Sequence, residues 1–298
     1  MLLKAFLVVF CVPILASMIL NVIYPKPPSD HGKGTMFDLI ATRYDFINRA
    51  LALNLDIGWR KSLISQVTSN GALYEGGGDS VVKILDLATG TADVAILMAK
   101  EYNNNNSKKK NPLSILGVDP SSQMLAVGRT KVAKEKLVEQ IQLDLGDARN
   151  LKELPSDEFH AATMSFGIRN VPEKEQCLCE IHRVLQKENN GKGATLGILE
   201  FSEPPPDSGF MGFHARLFIR YVVPVVGAVL SGAPREYMHL QNSIKEFPSP
   251  SNFVQLMENL QCSSSDGRVG AFRVDNLIQM NFGSVQLYLV TPIWRNKQ

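Results

Sequence analysis

The stretch that decides the fold is Lys83-Ile84-Leu85-Asp86-Leu87-Ala88-Thr89-Gly90-Thr91-Ala92-Asp93. An apolar run that begins at Val81 ends here in a turn of small residues, and from Val94 onward apolar residues recur at helical spacing. This order predicts a strand, a tight turn and a helix, which form the first unit of a doubly wound α/β sheet. Small residues let the turn approach a ligand, and the N–H groups at the helix start favour a ligand with negative charge or many acceptor atoms.

The turn differs from two common phosphate-binding loops. A dinucleotide-binding turn reads G-x-G-x-x-G, whereas Thr91 and Ala92 follow Gly90 here, and the G-K-[ST] end of a P-loop is missing. The pattern D-x-A-x-G-T-x-D from Asp86 to Asp93 looks instead like the first motif of Rossmann-like methyltransferases that use S-adenosylmethionine. A small-residue turn also occurs in other α/β proteins, so the remaining motifs must decide between these interpretations.

Composition and charge exclude several classes of protein. The net charge of +2 on 298 residues is too small to indicate a nucleic-acid partner. The five histidines are scattered, and the cysteines lack zinc-ligand spacing, so no metal site is predicted. We interpret the cysteines as reduced thiols in a non-oxidising compartment; they are Cys11, Cys177, Cys179 and Cys262.

The N-terminus predicts a segment separate from the main domain. Residues 5–24 are almost continuously apolar, and a run of about twenty residues matches a helix that spans a bilayer. A cleaved signal peptide and a buried core helix are the alternatives. The proline-rich residues that follow predict a linker, so we divide the chain into residues 1–30 (anchor or signal, and linker) and residues 31–298 (the α/β domain).

Two apolar helices are predicted before the sheet begins. Phe37, Ile40 and Tyr44 recur at helical spacing, and a second apolar pattern begins at Leu51. This pair is expected to cover the ligand pocket as a lid.

Acidic residues follow the second and third predicted strands. Asp119 ends the strand Leu113–Asp119, where a carboxylate can accept hydrogen bonds from both hydroxyls of a ribose. The spacing from the glycine turn exceeds the usual twenty residues or so, and the insert at residues 103–112, which we predict to be a disordered surface loop, accounts for the excess. Asp147 and Ala148 follow the strand Ile141–Leu145 and suit an adenine ring.

The exit loop of the fourth strand carries Arg169 and Asn170. Ligands of open α/β sheets bind beyond the carboxyl ends of the strands, so both residues are expected to point into the crevice.

The last strands are predicted at residues 270–280 and 285–291.

An apolar segment at residues 210–231 precedes these strands. His214, Arg216, Arg220 and Pro224 interrupt it, which argues against a membrane span. The remaining interpretations are a pair of core helices, the wall of a pocket for a lipid-like substrate, and a membrane-facing patch.

Several motifs together resemble the ubiquinone/menaquinone biosynthesis C-methyltransferase family, the UbiE type. The resemblance covers about residues 35 to 292, and Ser165-Phe166-Gly167-Ile168-Arg169-Asn170-Val171 is its most specific part. The other matching motifs are Met36-Phe37-Asp38-x-x-Ala41-x-x-Tyr44-Asp45-x-x-Asn48, Leu85-Asp86-Leu87-Ala88-x-Gly90-Thr91-x-Asp93, His182-Arg183-Val184-Leu185, Leu199-Glu200-Phe201-Ser202, Pro224-x-x-Gly227 and Ser243-Ile244-x-x-Phe247-Pro248.

The resemblance implies a class I, Rossmann-like fold and methyl transfer from S-adenosylmethionine to a ring carbon of a prenylated benzoquinol or naphthoquinol. It leaves open which of the two rings is the acceptor. The implied cofactor contacts, with Asp86 and Gly90 supporting the turn, are Thr91, Asp119, Asp147, Ala148 and Ser165. Thr89 and Ala92 stand where the family commonly has glycine, and the added methyl group of Ala92 is expected to lie near the methionine part of the cofactor.

The catalytic hypothesis assigns the main role to Arg169, which holds a ring oxygen or a water molecule. A cation beside a phenol lowers its pKa and so favours attack by the ring carbon. Asp93 is expected across the pocket, Asn170 assists, and Tyr44 closes the lid together with Asn48. No histidine is predicted as the general base.

Two alternative functions remain at this point. One is an O- or N-methyltransferase of a small lipid, and the other is a catalytically silent scaffold subunit of a quinone-biosynthesis complex. The partners expected besides the prenylated quinol are a membrane surface, other quinone-biosynthesis enzymes or a second copy of the chain, and no nucleic acid. Residues 5–24 predict membrane association. The family resemblance implies the mitochondrial inner membrane or a plastid, and a secretory-pathway membrane is the alternative.

Overall fold

The structure is a computed structural model that describes residues 12–23, 32–69, 81–105, 111–187, 193–205, 207–232, 234–263 and 268–295. Its strands are β1 Val82–Leu87, β2 Leu113–Asp119, β3 Ile141–Leu145, β4 Ala161–Ser165, β5 Thr195–Phe201, β6 Cys262–Ser263, β7 Val269–Met280 and β8 Val285–Arg295. Its α-helices are α1 Val12–Ile23, α2 Thr35–Asp38, α3 Ala41–Leu51, α4 Leu55–Thr68, α5 Asp93–Asn105, α6 Ser122–Lys134, α7 Lys174–Val184, α8 Gly209–Leu217, α9 Val223–Ser231, α10 Pro234–Glu246 and α11 Pro250–Glu258.

The strands form one sheet in the order β3-β2-β1-β4-β5-β8-β7-β6. The first five strands of this order are parallel, and β8, β7 and β6 continue the sheet antiparallel. The chain reverses its direction of travel across the sheet between β1 and β4, so a crevice opens beyond the carboxyl ends of these two strands. The predicted Rossmann-like, doubly wound fold is therefore confirmed.

Helices cover both faces of the sheet, which explains why its central strands are largely apolar. Leu63 on α4 and Met98 on α5 belong to the core on one face, and Ile181 on α7 and Phe253 on α11 belong to the core on the other. Strands buried on both faces read as continuous apolar runs rather than as alternating patterns. β2 is largely of this kind, whereas β3, at the edge of the sheet, alternates apolar and polar residues; both strands have the bounds that the sequence predicted.

The apolar segment at residues 209–231 forms a continuous helical rod, whereas the sequence predicted a break at Pro224. A π-helical turn, Phe218–Val222, joins α8 to α9 and places Pro224 in the first turn of α9. Proline is tolerated there because the wider turn before it needs no N–H from this residue. By length and composition alone, the 23 residues from Gly209 to Ser231 would suffice to cross a membrane, although a core helix meets the same two criteria.

Helix α1 packs against the π-helical turn, α9 and α10. It is the helical part of the predicted anchor at residues 5–24; residues 1–11 and 24–31, which include most of the predicted linker, lie outside the described residues. The division at residue 30 stays a prediction.

The insert predicted as a disordered loop at residues 103–112 is partly helical. Asn103, Asn104 and Asn105 continue α5, and the side-chain amide of Asn103 donates to Gln140 Oε1 at 2.9 Å. This hydrogen bond to the loop before β3 gives the polar end of the helix a partner. The rest of the prediction, residues 106–110, lies outside the described residues.

The interpretation of the cysteines as reduced thiols is wrong for two of them. Cys179 on α7 and Cys262 on β6 form a disulfide across 83 residues of chain. The spacing in sequence carries no sign of this pair, because β6 reaches α7 only through the folding of the sheet edge. Cys177 stays a thiol, and burial raises its pKa to about 12.

Candidate active site

The glycine turn after β1 is held from below by a buried carboxylate. Asp86 accepts hydrogen bonds from the hydroxyls of Thr89 and Thr163, both at 2.6 Å. Burial raises the pKa of Asp86 to about 6, although both hydrogen bonds oppose this shift. Gly90 has φ +56°, a left-handed conformation, and open space where a side chain would project. Asp86 and Gly90 therefore occupy the supporting positions that the sequence predicted.

Asp119 lies beside this turn at the end of β2. Its two carboxylate oxygens accept hydrogen bonds from the backbone N–H groups of Gly90 and Ser121, each at 2.8 Å. Burial raises the pKa of Asp119 to about 6 against these two bonds. The carboxylate thus joins the glycine turn to the start of α6.

A cavity of about 530 Å³, the strand-end cavity, opens above the ends of β1, β2 and β4. Its lining includes five of the predicted cofactor residues, namely Gly90, Asp119, Asp147, Ala148 and Ser165. Burial acts to raise the pKa of Asp147, but hydrogen bonds from Arg149 outweigh it and leave the pKa lowered. In the part of the chain that is described, the buried Oγ of Ser165 has no hydrogen-bond partner.

Thr91 and Asp93 do not line this cavity, although the sequence placed both at the site. Thr91 donates its hydroxyl proton to Asp45 at 2.6 Å. Asp93 pairs with Lys131 and, at 2.6 Å, with Arg49. Burial acts to raise the pKa of Asp93, but these cations outweigh it and leave the pKa lowered. Both side chains therefore fasten α3, which belongs to the predicted lid, to the glycine turn and α6.

Ala92 also turns away from the strand-end cavity. Its φ of +65° is a conformation that favours glycine, and its side chain is completely buried. The methyl group lies near Gly128 of α6, so the extra carbon fills core space. The expectation that it would lie near the cofactor is not supported by this placement.

A second cavity of about 400 Å³, the helical cavity, lies between the N-terminal helices and the apolar rod. Leu51, Trp59, Ile219, Val223 and Ile244 are among the residues that line it. An aromatic cluster forms its inner wall: Phe166 stacks on Phe201 with ring centroids 4.4 Å apart, and the ring of Trp59 meets both edge-on. This wall suits a planar apolar ring.

The two cavities share a wall. Its residues line both cavities and come from the lid, from the loop after β4 and from α10; they are Met36, Phe37, Tyr44, Phe166, Arg169, Asn170 and His239. Phe166 has φ +57°, a strained conformation for an aromatic residue and one that is common at functional sites. A molecule in one cavity would therefore meet a molecule in the other at these side chains.

Arg169 is held in the shared wall by an ion pair with Glu200. Its Nη1 donates to Glu200 Oε1 at 2.6 Å and to the carbonyl of Phe166 at 2.8 Å. Glu200 has no solvent exposure and Arg169 is 6% exposed, so the pair is buried. The guanidinium Nε has no partner among the described residues, which leaves one buried donor for a ligand.

Tyr44 projects into the same wall from α3 of the lid. Burial raises the pKa of its hydroxyl, while Arg169 and a hydrogen bond with Asn48 act in the opposite direction. Tyr44 therefore stays a neutral hydroxyl that can donate or accept a hydrogen bond. The structure thus brings together three of the four predicted catalytic residues and leaves Asp93 outside.

The model of the ubiE/COQ5 methyltransferase family matches residues 29–266 of this chain. The chain belongs to that family. Demethylmenaquinone methyltransferase of Deinococcus radiodurans is 37% identical over 239 residues, which are 78% of this chain and 88% of that protein. The ubiquinone/menaquinone biosynthesis C-methyltransferase UbiE of Geobacter sulfurreducens is 37% identical over 76% of this chain and 78% of its own length. The resemblance inferred from the motifs is confirmed.

Solved structures support the fold of this family member. A putative S-adenosyl-L-methionine-dependent methyltransferase from Methanococcus maripaludis superposes with a TM-score of 0.52, covering 92% of this chain and 97% of that chain at 13% identity. At this identity the similarity shows the fold alone.

The residues of the strand-end cavity fit S-adenosylmethionine, the methyl donor of this class. The Asp119 carboxylate can accept from ribose hydroxyls, Asp147 can accept from an exocyclic amine, and the Ser165 hydroxyl lacks a partner among the described residues. Asp119 keeps its place through backbone N–H groups, so it is preorganised for this contact.

Three functional candidates were missed in the sequence. Glu200 lies in a quoted motif but was assigned no role, and Lys131 lies in an ordinary helix, where nothing distinguishes it from a surface lysine. His239 precedes Ser243-Ile244 by four residues, one helical turn, and that motif was the available signal.

Proposed function

We propose that this chain transfers a methyl group from S-adenosylmethionine to a ring carbon of a prenylated benzoquinol or naphthoquinol. The observation that carries the proposal is the wall shared by the two cavities. A polar pocket that suits the donor meets an aromatic pocket that suits a quinol ring, and Tyr44, Arg169 and Asn170 lie between them. The names of the relatives, which cover menaquinone and ubiquinone biosynthesis, support the same substrate class.

In the strand-end cavity, Asp119 would hold the ribose, Asp147 and Ala148 the adenine ring, and Ser165 a further polar atom. When bound there, S-adenosylmethionine supplies a methyl group that is already activated for transfer. The protein must then mainly align the ring carbon with that methyl group. Asp93 and Thr91 act one step away, because their contacts keep the lid helix α3 on the glycine turn.

In the helical cavity, Phe166, Phe201 and Trp59 would hold the quinol ring at the shared wall. The Nε of Arg169, which has no partner within the described part of the chain, is available to a ring oxygen or to a water molecule. Its positive charge lowers the pKa of a nearby phenol, which makes the ring carbon a better nucleophile. Glu200 keeps the guanidinium in position through its buried ion pair.

We further propose that the mouth of the helical cavity faces a membrane. Leu53, Met211 and Phe282 line this cavity and are also 73%, 50% and 57% exposed. Exposed apolar side chains continue from there along the rod at Phe210, and along α1, where Val22 is 79% exposed. A prenylated acceptor could thus enter from the bilayer without crossing water. The anchor at residues 5–24 and an organellar location remain predictions.

The test is a methyl-transfer assay on the full chain in detergent. Labelled S-adenosylmethionine is supplied with reduced demethylated benzoquinol or naphthoquinol that carries a short prenyl tail. We expect label on a ring carbon of one acceptor, and this result also chooses between the rings. Label on a ring oxygen would contradict C-methylation, and failure to bind S-adenosylmethionine at all would favour the silent scaffold subunit.

A further inference from the structure

We infer that His239 is a further catalytic residue, the base that removes the ring proton after methyl transfer. This inference rests on the proposed C-methylation, which must release one proton from the carbon that receives the methyl group. It concerns a residue of α10, a helix that carries none of the catalytic residues assigned above.

The position of His239 is the first argument. Its side chain lines both cavities, in the wall where donor and acceptor would meet. Its Nε2 lies 3.3 Å from Oδ1 of Asn170, so the ring is tied to the same loop that carries Arg169. Helix α10 packs against α9 and against the 3-10 turn Ile168–Asn170, which fixes the height of His239 above the sheet.

The chemistry of the shared wall is the second argument. Met36, Phe37 and Phe166 carry no base, an amide such as Asn170 is not basic, and an arginine stays protonated. Burial raises the pKa of Tyr44, so this hydroxyl keeps its proton at neutral pH. An imidazole is the remaining group of this wall whose ordinary pKa lies near neutrality.

The hydrogen bond to Asn170 selects the tautomer. An amide oxygen only accepts, so Nε2–H of His239 donates to it and Nδ1 is the basic nitrogen of the neutral ring. Asn170 is therefore a positioning residue for His239. Asn170 directly follows Arg169 in the exit loop of β4, so this role also accounts for an amide at that position of the motif.

The step balances without a further reactant. The ring carbon forms a bond with the methyl group while the methyl–sulfur bond breaks and leaves its electron pair on sulfur. The carbon then bears both the methyl group and its original hydrogen. His239 binds that hydrogen as a proton, the C–H electron pair returns to the ring and restores aromaticity, and the imidazolium afterwards releases the proton to water.

The surrounding charges are of both signs. The titratable and charged groups that line the cavities around His239 come from every element packed there; they are Tyr44, Asp56, Arg60, Asp119, Asp147, Arg149, Arg169, Lys174, His214 and Glu246. Asp56 is already paired with Arg49 and Arg60, and Asp147 with Arg149. Neither of these two carboxylates is therefore a better placed base than His239. Asp119, Lys174 and Glu246 line only the strand-end cavity and His214 only the helical cavity, whereas His239 lines both.

The experiment compares His239→Gln with His160→Gln in the full chain in detergent. His160 lies directly before the amino end of β4, where its Nδ1 accepts a hydrogen bond from the backbone N–H of Lys83. It lines neither cavity, so its substitution serves as the matched control. At saturating S-adenosylmethionine we expect His239→Gln to lower kcat about 100-fold, within the range typical of a general base. Its affinity for S-adenosylhomocysteine should stay within about twofold of the parent value, since proton removal plays no part in binding.

Two readouts separate a base from a structural residue. The acidic limb of the kcat–pH profile should disappear in His239→Gln, and added imidazole should restore turnover in His239→Ala. Independently of turnover, the histidine NMR signal that is missing in His239→Gln should shift when a demethylated quinone is added to the complex of the parent chain with S-adenosylhomocysteine.

Normal kcat in His239→Gln, or an unresponsive signal, would overturn the assignment of His239 while methyl transfer by the parent chain stands. Absence of ring methylation by the parent chain on either quinol would instead overturn the proposed function.

Discussion

The two cavities that meet at Arg169 are built by different means. The strand-end cavity lies on the carboxyl ends of parallel strands, and its carboxylates have partners close by in sequence or on the next strand, as Asp119 does with Ser121 and Gly90. The helical cavity lies between helices that are far apart in sequence, from Leu51 on α3 to Ile244 on α10. Local backbone order therefore sets the first cavity, whereas packing of large side chains sets the second.

This difference predicts how each of the two cavities tolerates mutation. A carboxylate held by backbone N–H groups cannot be replaced without leaving those donors unsatisfied, which costs about 1 to 3 kcal/mol for each buried group. An apolar wall made of many side chains loses only one contact at a time. We therefore expect mutations to separate into large effects on donor binding and smaller effects on acceptor binding.

The largest effect is expected from Asp119→Ala. The variant removes the acceptor for ribose hydroxyls and leaves the N–H groups of Gly90 and Ser121 without their partner. The affinity for S-adenosylhomocysteine, measured by calorimetry, should fall on the order of 100-fold, since charged hydrogen bonds contribute about 1.5 to 3 kcal/mol each. Asp144→Ala on β3, which removes a carboxylate paired with Gln142, should leave this affinity unchanged.

The pH dependence of the affinity for S-adenosylhomocysteine tests whether Asp119 acts in its ionised form. Burial raises the pKa of Asp119 to about 6, so the ionised form that accepts hydrogen bonds dominates above pH 6 and is lost as the pH falls below it. Affinity in the parent chain should therefore decrease below pH about 6, by up to about tenfold per pH unit. Affinity that is constant from pH 8 to pH 5 would contradict the role of Asp119.

A smaller effect is expected in the helical cavity from Ile219→Asn. Ile219 lines the cavity, and an amide there opposes an apolar tail or ring at a cost of about 1 to 2 kcal/mol. The KM for a short-tailed quinol should rise about tenfold while the affinity for S-adenosylhomocysteine stays unchanged.

The matched control for Ile219→Asn is Val229→Asn on the same rod. Val229 is 77% exposed and lies outside the cavity lining, so with a short-tailed acceptor in detergent it should behave as the parent chain. Equal increases in KM for both variants would mean that the cavity is not the acceptor site.

The same contrast explains how far the sequence could predict this molecule. β2 and β3 were predicted to the residue, and Asp119, Asp147 and Ser165 line the expected cavity, because strand ends and the turns after them are local features. Asp93 was misplaced relative to the pocket, since its direction depends on Lys131 and Arg49, which come from other helices.

Long-range contacts account for the other misses. The Cys179–Cys262 disulfide joins residues that meet only after the sheet edge has formed. His239 enters the shared wall because α10 crosses the exit loop of β4, and no periodicity in its own helix shows that crossing. Sequence motifs thus predicted most of the named residues that line the strand-end cavity, whereas the helical cavity was visible only in the packed structure.

The smallest effect concerns the connection between the two halves. Asp45 on α3 accepts from the hydroxyl of Thr91 at 2.6 Å and from Lys131 at 2.7 Å, next to Tyr44, which lines both cavities. Asp45→Asn removes the charge of a partly exposed ion pair, which contributes on the order of 1 kcal/mol, so the lid should open more often.

Dissociation of S-adenosylhomocysteine, followed by stopped-flow fluorescence, should become about three- to fivefold faster. Added salt should accelerate dissociation in the parent chain and have less effect in the variant, because the variant has lost one of the ion pairs that hold α3 and keeps the Arg49–Asp93 pair. The control, Glu135→Gln, removes an exposed ion pair with Lys100, and neither of these residues lines a cavity. It should change neither the dissociation rate of S-adenosylhomocysteine nor the salt dependence of that rate. If Glu135→Gln accelerated dissociation as much as Asp45→Asn, the effect would come from the overall charge near α6. In that case α3 would not be a lid.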